Sequence, residues 1–273
     1  MVPGHLREVP WGPKQVLIGL GLFAAVFLLI QALIVAIAVA GHDFVPYDTG
    51  DVFEKAGEIA QYGDERLAAA ATGTELPHTP DILADNNSLL ILLGATFVSQ
   101  GFFVFIVLAA TRLRSDTVTR ALGLRKYTFA DLWRPAAVVV AAYTGVATYT
   151  VAMSAIGIDF LEPKSTVPSE VVRHGETLAL AGVLAVISAP IAEELFFRGL
   201  VFGGLVRWGF WPAATASAAL FTLAHLDPGS MIPFFWVGVA MAWLFWSRGS
   251  LWDSIAFHFL FNLTSFLLLL AGT

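Results

Sequence analysis

The chain has 273 residues, of which 57% are hydrophobic and 13% charged, with a mean hydropathy of +0.75 and a formal net charge of -6. Soluble domains carry about 25% charged residues, so the composition excludes a soluble domain and indicates a multi-span membrane protein. The acids gather in extramembrane stretches and form no face for nucleic acid, and the lack of cysteine rules out disulfides, thiolate nucleophiles and cysteine metal sites.

A bilayer needs about 20 apolar residues per helical crossing. Read on that basis, the sequence predicts seven spans, at about 15–40, 88–110, 136–157, 178–207, 211–226, 231–247 and 251–271. Helices are expected because an open sheet cannot satisfy its backbone in lipid. The fold class is therefore an all-α polytopic membrane protein of about seven transmembrane helices. The first span ends in Ala38-Val39-Ala40-Gly41, which resembles a signal-peptidase site. Its apolar run is longer than the roughly 7–15 residues of a signal segment, so a retained anchor is expected.

After the first span, residues 41–87 form an acidic segment, with Asp43, Asp48, Asp51, Glu54 and Glu58 among its acids and only Lys55 and Arg66 opposing. Residues 50–71 are expected to form an amphipathic surface helix, and Pro77, Pro80 and Asn86-Asn87 mark a loop. The segment 111–135 holds Arg112, Arg114, Arg120, Arg125, Lys126 and Arg134. Lys and Arg favour the cytoplasmic side, which places the amino terminus inside and the carboxyl terminus outside; the membrane is expected to be a bacterial plasma membrane, which the charge pattern itself does not indicate. There is no internal repeat. The first three spans (1–177) and the last four (178–273) divide the chain, and the polar groups of interest fall in the last four.

The fourth span contains Ala189-Pro190-Ile191-Ala192-Glu193-Glu194-Leu195-Phe196-Phe197-Arg198. Charge at that depth costs about 2.5–3.5 kcal/mol per group on insertion scales, so it persists where it is paired or does chemistry. Glu194 and Arg198 are four apart and share a helical face, which suits an ion pair. Glu193 is turned away without that partner and suits a general base. The bland alternative is a helix broken at Pro190, with the two acids in the first turn of the restarted helix. His225 ends the fifth span, four residues after Phe221. Counted from the turn at 208–211, Glu193 and His225 both lie about 21–22 Å up their helices, so they can meet across the hairpin. His258 and Asn262 share one face of the last span and suit a pair of donors to an oxyanion. His258 is only about 12 Å from its own turn, so convergence requires the 207–212 hairpin to project further or the helices to tilt.

Two histidines and a glutamate can also hold zinc with an open water position, so Glu193, His225 and His258 are candidate ligands. The H-E-x-x-H signature on one helix is absent, and a metal-free water held by Glu193 and His225 is favoured, with zinc possible. Ser188 and Ser217 lack the context of a serine nucleophile.

Glu193-Glu194-x-x-x-Arg198, Phe221-x-x-x-His225 and His258-x-x-x-Asn262, in this order and each on a span, resemble the three motifs of the CPBP family, the CAAX proteases and bacteriocin-processing enzymes also called the ABI family. The resemblance covers about residues 178–270. It implies an α-helical intramembrane endopeptidase acting on membrane-associated proteins or peptides in contact with lipid. By the same resemblance Glu193 and His225 activate water, His258 and Asn262 hold the oxyanion, and Glu194, Arg198 and Phe221 support the site. Two other classes use the same residues: a catalytically idle immunity or scaffold protein that binds a membrane peptide, and an ion- or proton-coupled carrier.

Overall fold

The computed structural model describes residues 9–40, 86–111, 115–124, 127–157, 174–225 and 229–272, together with residues 65, 161 and 163. The surface helix expected over 50–71 lies, except for Glu65, outside the described residues.

Among the described residues the chain is all-helical, with eight helices: α1 Pro13–Ala40, α2 Asn86–Thr111, α3 Ser115–Ala121, α4 Trp133–Ala155, α5 Gly175–Trp208, α6 Phe210–Ala224, α7 Met231–Arg248 and α8 Leu251–Gly272. Five of the described helices are long and apolar enough to cross a membrane. The apolar stretches Pro13–Val26 of α1 and Phe210–Ala224 are shorter. Asn86 and Asn87, expected in a loop, open the first turn of α2.

α5 to α8 form the packed centre. α5 and α6 are joined through Gly209, whose φ of 104° is closed to most side chains. α7 ends at Gly249 in the left-handed conformation, which stops the helix before α8 begins. The core is aromatic: Phe103 of α2 stands edge-on to Phe196 of α5 at 5.0 Å, and Phe197 stands edge-on to Phe221 of α6 at 5.5 Å. The amino-terminal segment docks beneath α5, where buried Trp11 donates from Nε1 to the Gly199 carbonyl at 3.2 Å and Arg207 donates to the Trp11 carbonyl at 3.1 Å.

At the end of the bundle where α4 and α8 begin and α7 finishes, polar groups clasp the helices together. Arg248 pairs with Asp131 at 2.6 Å, and Tyr127 donates to Asp253 at 2.9 Å. Burial, then the bonded Asp253 carboxylate, push the Tyr127 phenol above its ordinary pKa. This basal end also carries Gly209 and the Trp11 contacts.

α5 runs without a break from Gly175 to Trp208 over 34 residues, so Pro190 does not restart the helix. The reason is local winding. Val183–Ser188 forms π-turns just ahead of the proline, and Leu195–Phe202 does so after it. A proline ring crowds the carbonyl of the preceding turn and offers no N–H, and the wider π-turn makes room for it.

Candidate active site

Glu194 and Arg198 are fully buried and bonded at 2.8 Å, as their four-residue spacing on α5 suggests. Arg198 also donates to the Gly238 carbonyl of α7 at 3.2 Å, and its guanidinium lies 4.5 Å from the centre of the Phe221 ring on α6, within cation–π range. The second motif therefore supplies the ring on which the first motif's cation rests.

Glu194 reaches further than the ion pair. Its Oε1 also accepts from His258 Nδ1 at 3.0 Å, and its Oε2 accepts a hydrogen bond from Ser254 Oγ, both on α8. One buried carboxylate thus satisfies three donors, which is how a charge is held away from water. Together the Glu194–Arg198 pair touches α6, α7 and α8 from α5. Ser254 was missed in the sequence, although Ser254, His258 and Asn262 follow at four-residue steps and form one polar stripe on α8.

Glu193 faces elsewhere. It is partly buried, and its Oε2 is enclosed without a hydrogen-bond partner among the described residues. It lines a cavity of about 710 Å³ together with Phe221, His225, His258 and Asn262. The rest of the wall is mostly apolar, with Leu89 and Leu93 of α2, Val237 of α7 and Phe266 of α8 among its residues.

The two histidines have defined tautomeric constraints. His225 terminates α6, and its Nδ1 lies 2.8 Å from the Phe221 carbonyl, so Nδ1 carries a proton and, when the ring is neutral, Nε2 keeps its lone pair. Its ring packs against Phe221 at 4.6 Å and Phe234 at 4.9 Å. His258 donates through Nδ1 to Glu194, so its Nε2 accepts when the ring is neutral and donates only when the ring is charged. Asn262 donates from Nδ2 to the Ala185 carbonyl at 2.7 Å, which leaves its second amide hydrogen for another acceptor. Ser217 is tied to the Phe197 carbonyl at 2.8 Å.

Two histidines whose Nδ1 atoms are committed, beside a carboxylate, are the kind of donor set that zinc uses. Their placement does not match: among the described residues no three His, Asp or Glu side chains converge closely enough to hold a metal ion.

The fold and site define a class, an integral membrane protein of apolar helices with a buried carboxylate–histidine–arginine cluster under an apolar cavity. Residues 175–264 match the model of the type II CAAX prenyl endopeptidase Rce1-like family, in line with the resemblance to the CPBP family carried by the three motifs. Over 88 residues the chain is 27% identical to YdiL of Bacillus subtilis (strain 168), described as a candidate membrane peptidase. That alignment covers 32% of this chain and 36% of YdiL, so the chain spans about a third of its curated relative. No solved structure matches.

Proposed function

We propose that the chain is an intramembrane endopeptidase that hydrolyses peptide bonds of membrane-associated proteins or peptides, with Glu193 as the general base. The observation that carries this reading is the enclosed, unpartnered Oε2 of Glu193 in a cavity shared with His225, His258 and Asn262. A carboxylate oxygen without a donor there is suited to take a proton from a water. His225, its Nδ1 fixed by the Phe221 carbonyl, offers Nε2 to the same water. As that water attacks the scissile carbonyl carbon, its proton passes to Glu193 and negative charge develops on the carbonyl oxygen. His258 in its charged form and the free amide hydrogen of Asn262 are the donors proposed to meet that oxygen. Breakdown of the tetrahedral intermediate then returns the proton from Glu193 to the leaving amine. Glu194, Arg198 and Phe221 hold the donors in place, and no metal takes part.

Replacing Glu193 by Gln keeps its size and removes proton acceptance. Glu193→Gln should lower turnover of a membrane peptide by about 10² to 10⁴, the range for loss of a general base, with the thermal midpoint in detergent unchanged. Turnover within a few-fold of wild type would overturn the assignment.

A further inference from the structure

The cavity lies in one half of the bundle. Its lining residues fall in the first part of α2 (Leu89 to Gln100), the first part of α5 (Ala181 to Glu193), the last turns of α6 (Phe221, His225), the start of α7 (Ser230 to Val237) and the later part of α8 (His258 to Leu269). These helices alternate in direction, so all those stretches point to the same end, and Pro163, in the segment that joins α4 to α5, also lines the cavity there. Glu193, His225 and His258 are among its lining residues, and Arg198 lies further along α5 toward the basal end.

The basic residues lie at the other end. Of the 15 Lys and Arg in the sequence, ten fall before or in the first turn of α1, between α2 and the first turn of α4, or in the last turns of α5 and α7: Arg7, Lys14, the six from Arg112 to Arg134, Arg207 and Arg248. Only Lys55, Arg66, Lys164 and Arg173 belong to the two long segments that join helix ends on the cavity side. An excess of Lys and Arg in short connecting segments marks the cytoplasmic side, and Asp and Glu contribute little to that choice.

We infer that the cavity opens to the non-cytoplasmic side of the membrane, so that the substrate is a membrane peptide presenting its scissile bond in the outer half of the bilayer. A lipid-modified tail displayed in the cytoplasm would approach the basal end, away from these lining residues. The word substrate rests on the peptidase reading above; the sidedness does not.

Because the sequence has no cysteine, single cysteines report sidedness directly. Met231→Cys lies at the start of α7, next to the cavity-lining Ser230, while Phe129→Cys and Trp208→Cys lie at the basal end, and all three positions are exposed. In spheroplasts treated with a membrane-impermeant maleimide, Met231→Cys should be labelled before lysis and the two basal cysteines only after it. Labelling of Met231→Cys only after lysis, or of the basal cysteines before it, overturns the inference. In parallel, one single-span model peptide is expressed in two forms, with the same cleavable sequence in the outer or the inner half of its span, beside wild-type or Glu193→Gln protein. The outer form alone should be cut, and only by wild type. Cutting of the inner form alone overturns the sidedness and leaves the peptidase reading standing. Cutting of neither form counts against the peptidase reading, and the labelling then decides the sidedness by itself.

Discussion

Two adjacent glutamates in one helix turn receive opposite environments. Glu194 is saturated by Arg198, His258 and Ser254, whereas Glu193 Oε2 has no donor among the described residues. Removing one partner of a buried ion pair costs about 3–5 kcal/mol because the other charge is left uncompensated. Arg198→Ala should therefore lose far more stability in a denaturant or thermal titration than Glu193→Gln does. The opposite ranking would exchange the roles of the two acids. Ser254→Ala removes one charge-assisted bond to Glu194 and should cost about 1.5–3 kcal/mol, less than Arg198→Ala, as read from the same titration. The pairing of Glu194 with Arg198 was legible because both lie on one helix, where spacing fixes the face. The bonds to Ser254 and His258 were not, because they depend on how α8 is rotated against α5, and no spacing within one helix encodes that.

At the scale of elements, each of the seven apolar runs appears as a helix whose ends fall within about three residues of those expected, whereas the short polar helix α3 was not anticipated, because apolar run length does not register it. What run length did not reveal is the π-winding of α5. Where the helix is π-wound, the Ala189 N–H bonds the Leu184 carbonyl, five residues back. The next donor in that register would be residue 190, which as proline has no N–H. The carbonyl it would have met is that of Ala185, and this is the acceptor that Asn262 bonds at 2.7 Å. Asn262 thus repairs from α8 a bond that Pro190 removes from α5. Leaving a fully buried acceptor unpaired costs about 1–3 kcal/mol, and the Ala185 carbonyl is part-buried, so Asn262→Ala should destabilise by up to that amount in the wild-type background. In a Pro190→Ala background, where residue 190 regains its donor, the loss should shrink, and a double-mutant cycle measures the difference. Equal losses in both backgrounds would remove the repair role. The depth mismatch counted between His258 and Glu193 extends to Glu194, the next residue on α5. Glu194 stands well above the α5–α6 turn and His258 closer to the start of α8, yet they are bonded. The lower stretch of α5 that this leaves over is where Trp11 bonds Gly199 and Arg207 bonds the Trp11 carbonyl, contacts from a segment distant in sequence.

Over the whole molecule, the site is assembled from four helices, and the central question is whether side chains alone complete it or a metal does as well. A ligand that binds the folded state stabilises it by mass action, and structural or catalytic zinc adds a dependence on chelators because its ligands must be deprotonated to hold it. Here the carboxylate that binds both Arg198 and His258 already ties α5 to its neighbours, and Arg198 reaches α6 and α7 by contacts that need no ion. The expected outcome is that protein purified through strong chelator keeps both its thermal midpoint and its turnover. Elemental analysis should then find well under one zinc per chain. If zinc is stoichiometric, and activity is lost on chelation and restored by zinc alone, then Glu193, His225 and His258 must move together on loading to become ligands, and the base assigned to Glu193 would have to be sought elsewhere in the cavity.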